Sequence, residues 1–228
     1  MEELNRAWKK TSIVVLGDEV GELFEYVDWL GGAAEFMSDV LGRSFKSEAR
    51  SALTGKKVYL FAPFYSSHAR FVEMEKIPEI RIDPLSIDEI KDIDSIFEAL
   101  KERWFYRASV VLGNSSHVEK SDSVLNSHFV LESQGVEDSS YVAYSTWIRD
   151  GSKYVFGSMG GPGFQFSIRN FYGAHLKRAL EAYFFIDSSD LYYTHRMVNS
   201  SECMFSFNLY GEHYVIGNLR LPKERYFK

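Results

Sequence analysis

The sequence holds a single cysteine, Cys203, among 228 residues, which excludes an internal disulfide framework and any cysteine-rich zinc site. Glutamine occurs only at Gln134 and Gln165, a scarcity of thermolabile side chains expected of a thermophile's protein. With 5 prolines there is no Pro-rich linker. No apolar run approaches the roughly 18 residues that a membrane span needs. The start Met1-Glu2-Glu3 is acidic and unlike a secretory or mitochondrial leader. A cytoplasmic protein with no membrane contact is expected. A net charge of −6 argues against a mainly phosphate-driven nucleic-acid interface. The basic clusters, Lys56-Lys57 and His175 with Lys177 and Arg178, are short and stand in an acidic chain.

Hydrophobic residues make up 45% of the chain, enough for a substantial core, and the two halves use them differently. The first 114 residues carry 15 Lys+Arg and 20 Asp+Glu, the last 114 carry 11 and 12, so net charge falls from −5 to −1. The second half is rich instead in Ser, Gly, Tyr and Phe. This shift predicts charged helical surface first and short strands afterwards, an α+β fold divided into residues 1–106 and 107–228.

In the first part, Glu2 to Lys10 reads as a short amphipathic helix and Ser12 to Gly17 as a strand or extended connection. Asp18 resembles an N-cap for a helix carrying Leu23, Phe24, Val27 and Leu30, ended by Gly31-Gly32. A further helix is expected over Ala33 to Leu41, and a strand over Val58 to Pro63. Ser86 and Glu89 form a capping-box pattern ahead of Ile87, Ile90, Ile93, Ile96, Phe97, Leu100 and Trp104. That apolar stripe at helical spacing is expected to dock onto the following domain.

The second part repeats a six-residue pattern, a small or polar residue, any residue, three apolar residues and another small one. Copies start at Ser127, Ser140, Ser152, Ser189, Ser201 and Glu212, with steps of 13, 12, 37, 12 and 11 residues. Degenerate copies near Phe164 and Phe184 bridge the long step. A fixed step with apolar strand centres and small corner residues predicts a parallel β-solenoid, whose coils bury their faces only by stacking. Ser, Thr and Gly suit the corners through local hydrogen bonds or positive φ. The competing reading is an antiparallel meander. Gly173 to Ala182 reads as a short helix or loop inserted between coils.

The closing residues Ser200 to Leu209, then Tyr214-Val215-Ile216-Gly217-Asn218, then Pro222-Lys223-Glu224-Arg225-Tyr226, resemble the end of a family of uncharacterised prokaryotic repeat proteins of Cys-rich type. The likeness covers about residues 115–228. In many members, Asn-Cys pairs at the corners precede a short "KEEY"-like helix. The resemblance implies a solenoid and no particular activity. Here Ser, Gly or Thr replaces most of the corner cysteines, so a metal role suspected for such relatives does not carry over.

Chemistry is sparse. The six histidines show no i,i+4 pair, so neither a metal nor a cofactor is expected. Cys203 stands where the repeat points a small apolar side chain inward. The run Gly157-Ser158-Met159-Gly160-Gly161-Pro162-Gly163 lacks the Gly-Lys-Ser/Thr ending of a phosphate-binding loop and reads as a corner or flexible loop. The only catalytic candidates are Asp190, His195 and Glu202, with Asp187 and Arg196 nearby. On one solenoid face they would suit a carbohydrate-active β-helix hydrolase or lyase. The favoured expectation is a non-catalytic binding or assembly protein whose partner is a macromolecular complex, the ribosome being one instance. A homodimer is expected at the solenoid's C-terminal end, through Tyr214, Val215, Ile216, Leu219, Tyr226 and Phe227, with Leu221 beside them, because an open last coil exposes backbone and apolar side chains.

Overall fold

The computed structural model describes residues 1–31, 47–61, 65, 68–101 and 103–228. The helix expected over Ala33 to Leu41 and the far end of the strand expected over Val58 to Pro63 fall outside them. The chain forms a short N-terminal α+β portion packed on a C-terminal parallel β-solenoid of about 9 turns.

One backbone rule builds the solenoid. Every third residue from His117 to Asp150 has positive φ, and after one extra residue the rule resumes from Gly151 to Gly217. In this left-handed region a side chain crowds its own backbone, and β-branched residues suffer most. The positions accordingly hold aromatic, charged, amide, serine or glycine residues and no Val, Ile or Thr; Phe129 and Tyr141 each have φ 57°. The residue after each one turns inward, alternately apolar and small: Val130, Ser133, Val136, Ser139, Val142 and Ser145 are all buried.

Four-residue strands therefore alternate between two parallel sheets. Face A contains Ser116–Glu119, His128–Leu131, Ser140–Ala143, Lys153–Phe156 and Gln165–Ile168, and ends with Ser201–Met204 and His213–Ile216. Face B contains Val111–Leu112, Asp122–Leu125, Gln134–Glu137, Thr146–Arg149 and Met159–Pro162, and ends with Phe207–Tyr210. The long strand Phe171–Val198 winds through both.

Serine ladders tie the coils together. Ser127 Oγ donates to the Leu125 carbonyl at 2.8 Å and accepts the N–H of Ser139, 12 residues on, at 3.0 Å. The second corner repeats this through Ser121, Ser133, Ser145 and Ser158, ending on Asn170. Each hydroxyl thus satisfies two buried backbone groups that the corners leave out of the sheets.

Several expectations change. The pairing is parallel throughout the stacked coils, which removes the meander. The true corner beside Ser127 is Ser139, so the apparent step of 13 falls later, at the extra residue near Asp150-Gly151. Corner serines act through hydrogen bonds, while positive φ belongs to the residue before them. Gly173 to Ala182 is regular solenoid rather than an insertion. Its polar residues His175, Arg178 and Glu181 take successive positive-φ positions, and their spacing of three imitates a helix. Arg107 and Ala108 pair with the N-terminal strand Arg70–Glu73.

The N-terminal helix α1 spans Glu2–Leu16 without the expected break. Leu4, Ala7, Trp8, Thr11, Ser12 and Val15 form its buried stripe, and Gly17 ends it at φ 83°. Thr11 and Ser12 hydroxyls bond back to the Ala7 and Lys9 carbonyls, and burial of Val15 on the same stripe as Trp8 keeps the β-branched run helical. With Leu23 and Leu30 of the following segment, α1 covers Leu131, Ala143, Phe156, Ile168 and Leu180 on face A. Leu23–Tyr26 is a 3-10 turn leading into the helix Val27–Gly31; its N-cap is Glu22, and Asp18 bonds only to the next amide.

The strands Ser47–Arg50 and Lys57–Leu60 pair antiparallel and, with the parallel pair Arg70–Glu73 and Phe105–Ala108, enclose Val58, Leu60, Phe71 and Ala108. The capping box at Ser86 and Glu89 is present but starts only a 3-10 turn. A second start follows, where Asp92 Oδ1 accepts the Ser95 N–H at 2.8 Å, giving the helix Ile93–Lys101. Its stripe does not dock on the solenoid: Ile87 and Ile93 are 89% and 71% exposed.

At the other end the chain covers its own last coil. Leu219–Arg220 folds back antiparallel on His213–Ile216, and Tyr214 packs against Tyr226 and Phe227 at 5.8 and 5.9 Å. Val215 is fully buried, which removes it from the expected interface. The Asn218 side chain accepts the Phe207 N–H and donates to the Phe207 carbonyl, occupying the place of a further coil on face B.

Candidate binding cleft on the open face

The two faces carry different side chains at the same coil positions. On face A the second strand position holds a continuous ring stack, His117, Phe129, Tyr141, Tyr154 and Phe166, with neighbouring centroids 4.6 to 5.0 Å apart. The Lys10 ammonium of α1 sits 4.7 Å from the Tyr154 ring. On face B the equivalent positions read Ser123, Gly135, Trp147, Gly160, Tyr172, Phe184, Arg196 and Asn208.

Two further glycines distort face B. A Cβ on Gly161 would lie 1.9 Å from the Gly173 carbonyl oxygen, and one on Gly173 would lie 2.2 Å from that of Phe185. Inside, Phe164 and Phe185 take the released volume, their rings 5.3 Å apart and buried. Outside, the register between Met159–Pro162 and the next coil shrinks to the single pair Met159 and Phe171. A cleft of about 760 Å³ opens there. It runs along face B from Val110 and Leu112 past Gly135 and Trp147 to Gly160, Gly161, Pro162 and Tyr172, with Arg107, Glu137 and Arg149 as its charged lining. Arg149 has its nearest carboxylate, Asp150, at 4.0 Å. Beneath the first coil, Asp122 is buried and accepts the Val110 N–H at 2.6 Å, and burial pushes its carboxyl above the usual aspartate range.

The Gly-rich run therefore lines a cleft, which its sequence did not disclose. It is no phosphate cradle, because the N–H groups of Gly157, Met159 and Gly163 are spent on the Ala143, Asn170 and Arg149 carbonyls.

The expected catalytic residues are not brought together. Asp190 and Glu202 lie on face A, whereas His195 and Arg196 lie on face B, paired in register with the strand Phe207–Tyr210. Asp190 is held by Arg178 at 2.7 Å, and Asp187 by His175 at 2.7 Å at a corner. His213 Nδ1 meets the Ser201 hydroxyl at 2.7 Å, but Glu202 approaches that same nitrogen, at 3.9 Å. A nucleophile–base–acid relay needs the acid on the opposite ring nitrogen. The same Ser–His contact recurs between Ser116 and His128 at 2.9 Å, which marks it as a product of the coil repeat. Burial pushes the Cys203 thiol up to about 11, away from nucleophilic character. Among the described residues no group of three His, Cys, Asp or Glu side chains is placed to hold a metal ion, and no helix is long and apolar enough to cross a membrane.

Sequence reasoning missed the cleft because its signal is an alternation, Gly135, Trp147, Gly160, Tyr172, visible only once residues are aligned by coil. Comparison with protein-family models, curated proteins and solved structures finds no match for this chain.

Proposed function

We propose that this chain is a non-catalytic binding or assembly protein that presents face B to a macromolecular partner. One observation carries the reading: α1 and the segment after it cover face A, while face B and its adjoining edge keep large apolar side chains in solvent. Trp147, Phe184, Ile186, Phe207 and Tyr210 are each 44 to 58% exposed, and Tyr193 and Phe205 stack beside them on the edge. Contiguous apolar surface on a rigid scaffold is the usual mark of an interaction site. The dispersal of Asp190, Glu202 and His195 over opposite faces disfavours the glycosidase reading.

A ribosome-associated or other large-complex factor is the concrete version of this proposal. In a lysate gradient the wild-type chain co-migrates with a large particle, and Phe184→Glu combined with Phe207→Glu releases it to the top. Wild-type chain sedimenting alone would end the proposal. Self-association belongs to the same reading, since Leu219 and Phe227 stay 63% and 64% exposed beyond the cap. Light scattering gives a dimer mass that Leu219→Glu with Phe227→Glu reduces to a monomer; a monomeric wild type would remove it.

A further inference from the structure

We propose that the open position above Gly160, between Trp147 and Tyr172, receives one aromatic side chain of a partner polypeptide, with an acidic residue next to it meeting Arg149. The inference rests on face B being the binding face and names the chemistry recognised there.

The geometry begins with face A, where rings at the second strand position stack on five successive coils, from His117 to Phe166. Consecutive centroids are 4.6 to 5.0 Å apart, close to the spacing of paired strands. Face B carries rings at this position only at Trp147, Tyr172 and Phe184, and glycine interrupts the run on either side of Trp147, at Gly135 and at Gly160. The first interruption is already filled, because Phe61 enters from the N-terminal portion. A Cβ on Gly135 would lie 2.8 Å from both the Phe61 and the Trp147 rings, and those two rings are 6.3 Å apart. At Gly135 an aromatic ring from outside the solenoid thus takes the place beside Trp147, tilted by 48° against it.

At the second interruption no ring from the N-terminal portion enters among the described residues. Trp147 and Tyr172 stand two coils apart, about 10 Å at the usual strand spacing. Trp147 makes its ring contact with Phe61, and Tyr172 makes its own with Phe184, on the sides away from Gly160. Both line the cleft together with Gly160. Tyr172 leans over Gly160, its ring edge 3.2 Å from where a Cβ on that glycine would stand, so the space for an added ring lies between this ring and Trp147. In the cleft's charged lining, Arg149 and Arg107 outnumber Glu137, so an acidic neighbour of the inserted ring finds a cationic partner. A phenylalanine seated beside Gly135 is the precedent on this molecule, and it favours an aromatic side chain over a nucleobase.

The test uses the whole chain and short acetylated, amidated peptides Gly-Asp-Xaa-Asp-Gly, with Xaa either Phe or Leu, alongside adenosine monophosphate. Binding is followed by tryptophan fluorescence and by the Gly160 amide resonance. The Phe peptide saturates at millimolar concentration and shifts Gly160, while the Leu peptide binds about tenfold more weakly or less. Gly160→Phe supplies the missing ring from within. Its backbone fits, since Gly160 has φ 73° and Phe166 and Phe184 already adopt positive φ. Its Cβ would meet the ring edge of Tyr172 at 3.2 Å, and the 5.7 Å spacing of Tyr172 from Phe184, wider than in the face A stack, leaves room to give. This variant keeps the wild-type melting temperature and loses peptide binding.

No Phe-peptide binding up to about 10 mM, or binding unchanged in a folded Gly160→Phe variant, overturns the inference. Adenosine monophosphate binding where the peptide does not would also overturn it and give the slot to nucleobases. The gradient separates the two proposals. Co-migration of wild type without peptide binding removes the slot alone, and peptide binding without co-migration removes the large-particle partner alone. Should Gly160→Phe melt early, Tyr172→Ala removes one wall instead and is expected to weaken peptide binding about tenfold.

Discussion

Face A and face B come from the same twelve-residue coil, yet one is finished within the chain and the other is left open. On face A the fourth strand position supplies Leu131, Ala143, Phe156, Ile168 and Leu180, a flat apolar strip onto which α1 lays Leu4, Ala7, Trp8 and Val15. On face B the same position supplies Leu125, Glu137, Arg149 and Pro162, then Ala174 and Ile186, and no helix packs there among the described residues. Identical backbone therefore serves two purposes, and the outward side chains choose between them. Burial on one face holds the N-terminal segment; exposure on the other offers a surface.

The largest expected effect breaks that contrast directly. Trp8 is 1% exposed and lies 5.2 Å from Phe156, so Trp8→Ala is expected to cost about 3–5 kcal/mol in denaturant unfolding. Trp147→Ala, on the open face, is expected to cost less than about 1 kcal/mol. Equal losses would show that face B carries structural burial as well.

The second effect concerns what the faces share. Ser145→Ala removes a hydroxyl that donates to the Ala143 carbonyl and accepts the buried Ser158 N–H at 3.1 Å. Leaving those groups unpaired is expected to cost about 2–3 kcal/mol, whereas Ser123→Ala, at an outward position, leaves stability nearly unchanged. The third separates ring stacking from backbone conformation at Phe129, where φ is 57°. Phe129→Ile is expected to be about 1–2 kcal/mol less stable than Phe129→Asn, because the β-branched residue resists positive φ while asparagine tolerates it.

The smallest effect depends on pH. Burial raises the Asp122 carboxyl above its unfolded value. Its contribution is therefore fully present below the ordinary aspartate range and is lost as pH rises through the raised native value. An asparagine at this position would still accept the Val110 N–H through its amide oxygen. Asp122→Asn is expected to melt higher than wild type at pH 7 and to match it near pH 3, about one unit below an ordinary aspartate. A variant less stable than wild type at pH 7 would contradict this.

The solenoid was legible because its inward residues are chemically simple. Alternating Val and Ser at Val130, Ser133, Val136, Ser139, Val142 and Ser145 write the coil into the sequence. The three-residue backbone rule was harder to read, since the positive-φ positions share only the avoidance of β-branching. Around His175, Arg178 and Glu181 the same rule produces the spacing of a helix turn. The N-terminal helix was cut short because Ile13-Val14-Val15 looks like a strand until Trp8 and Val15 are seen on one buried stripe. The cleft was hidden for a different reason. Gly135 and Gly160 matter through their neighbours one coil away, and a linear reading of Gly157 to Gly163 shows only flexibility.

The most direct test of the open-face account is hydroxyl-radical footprinting of the chain free and in its sedimenting complex, read residue by residue. The account predicts protection of Trp147, Tyr172, Phe184 and Phe207 on face B, with the face A stack from Phe129 to Phe166 unchanged. Protection confined to face A, or spread equally over both faces, would contradict it.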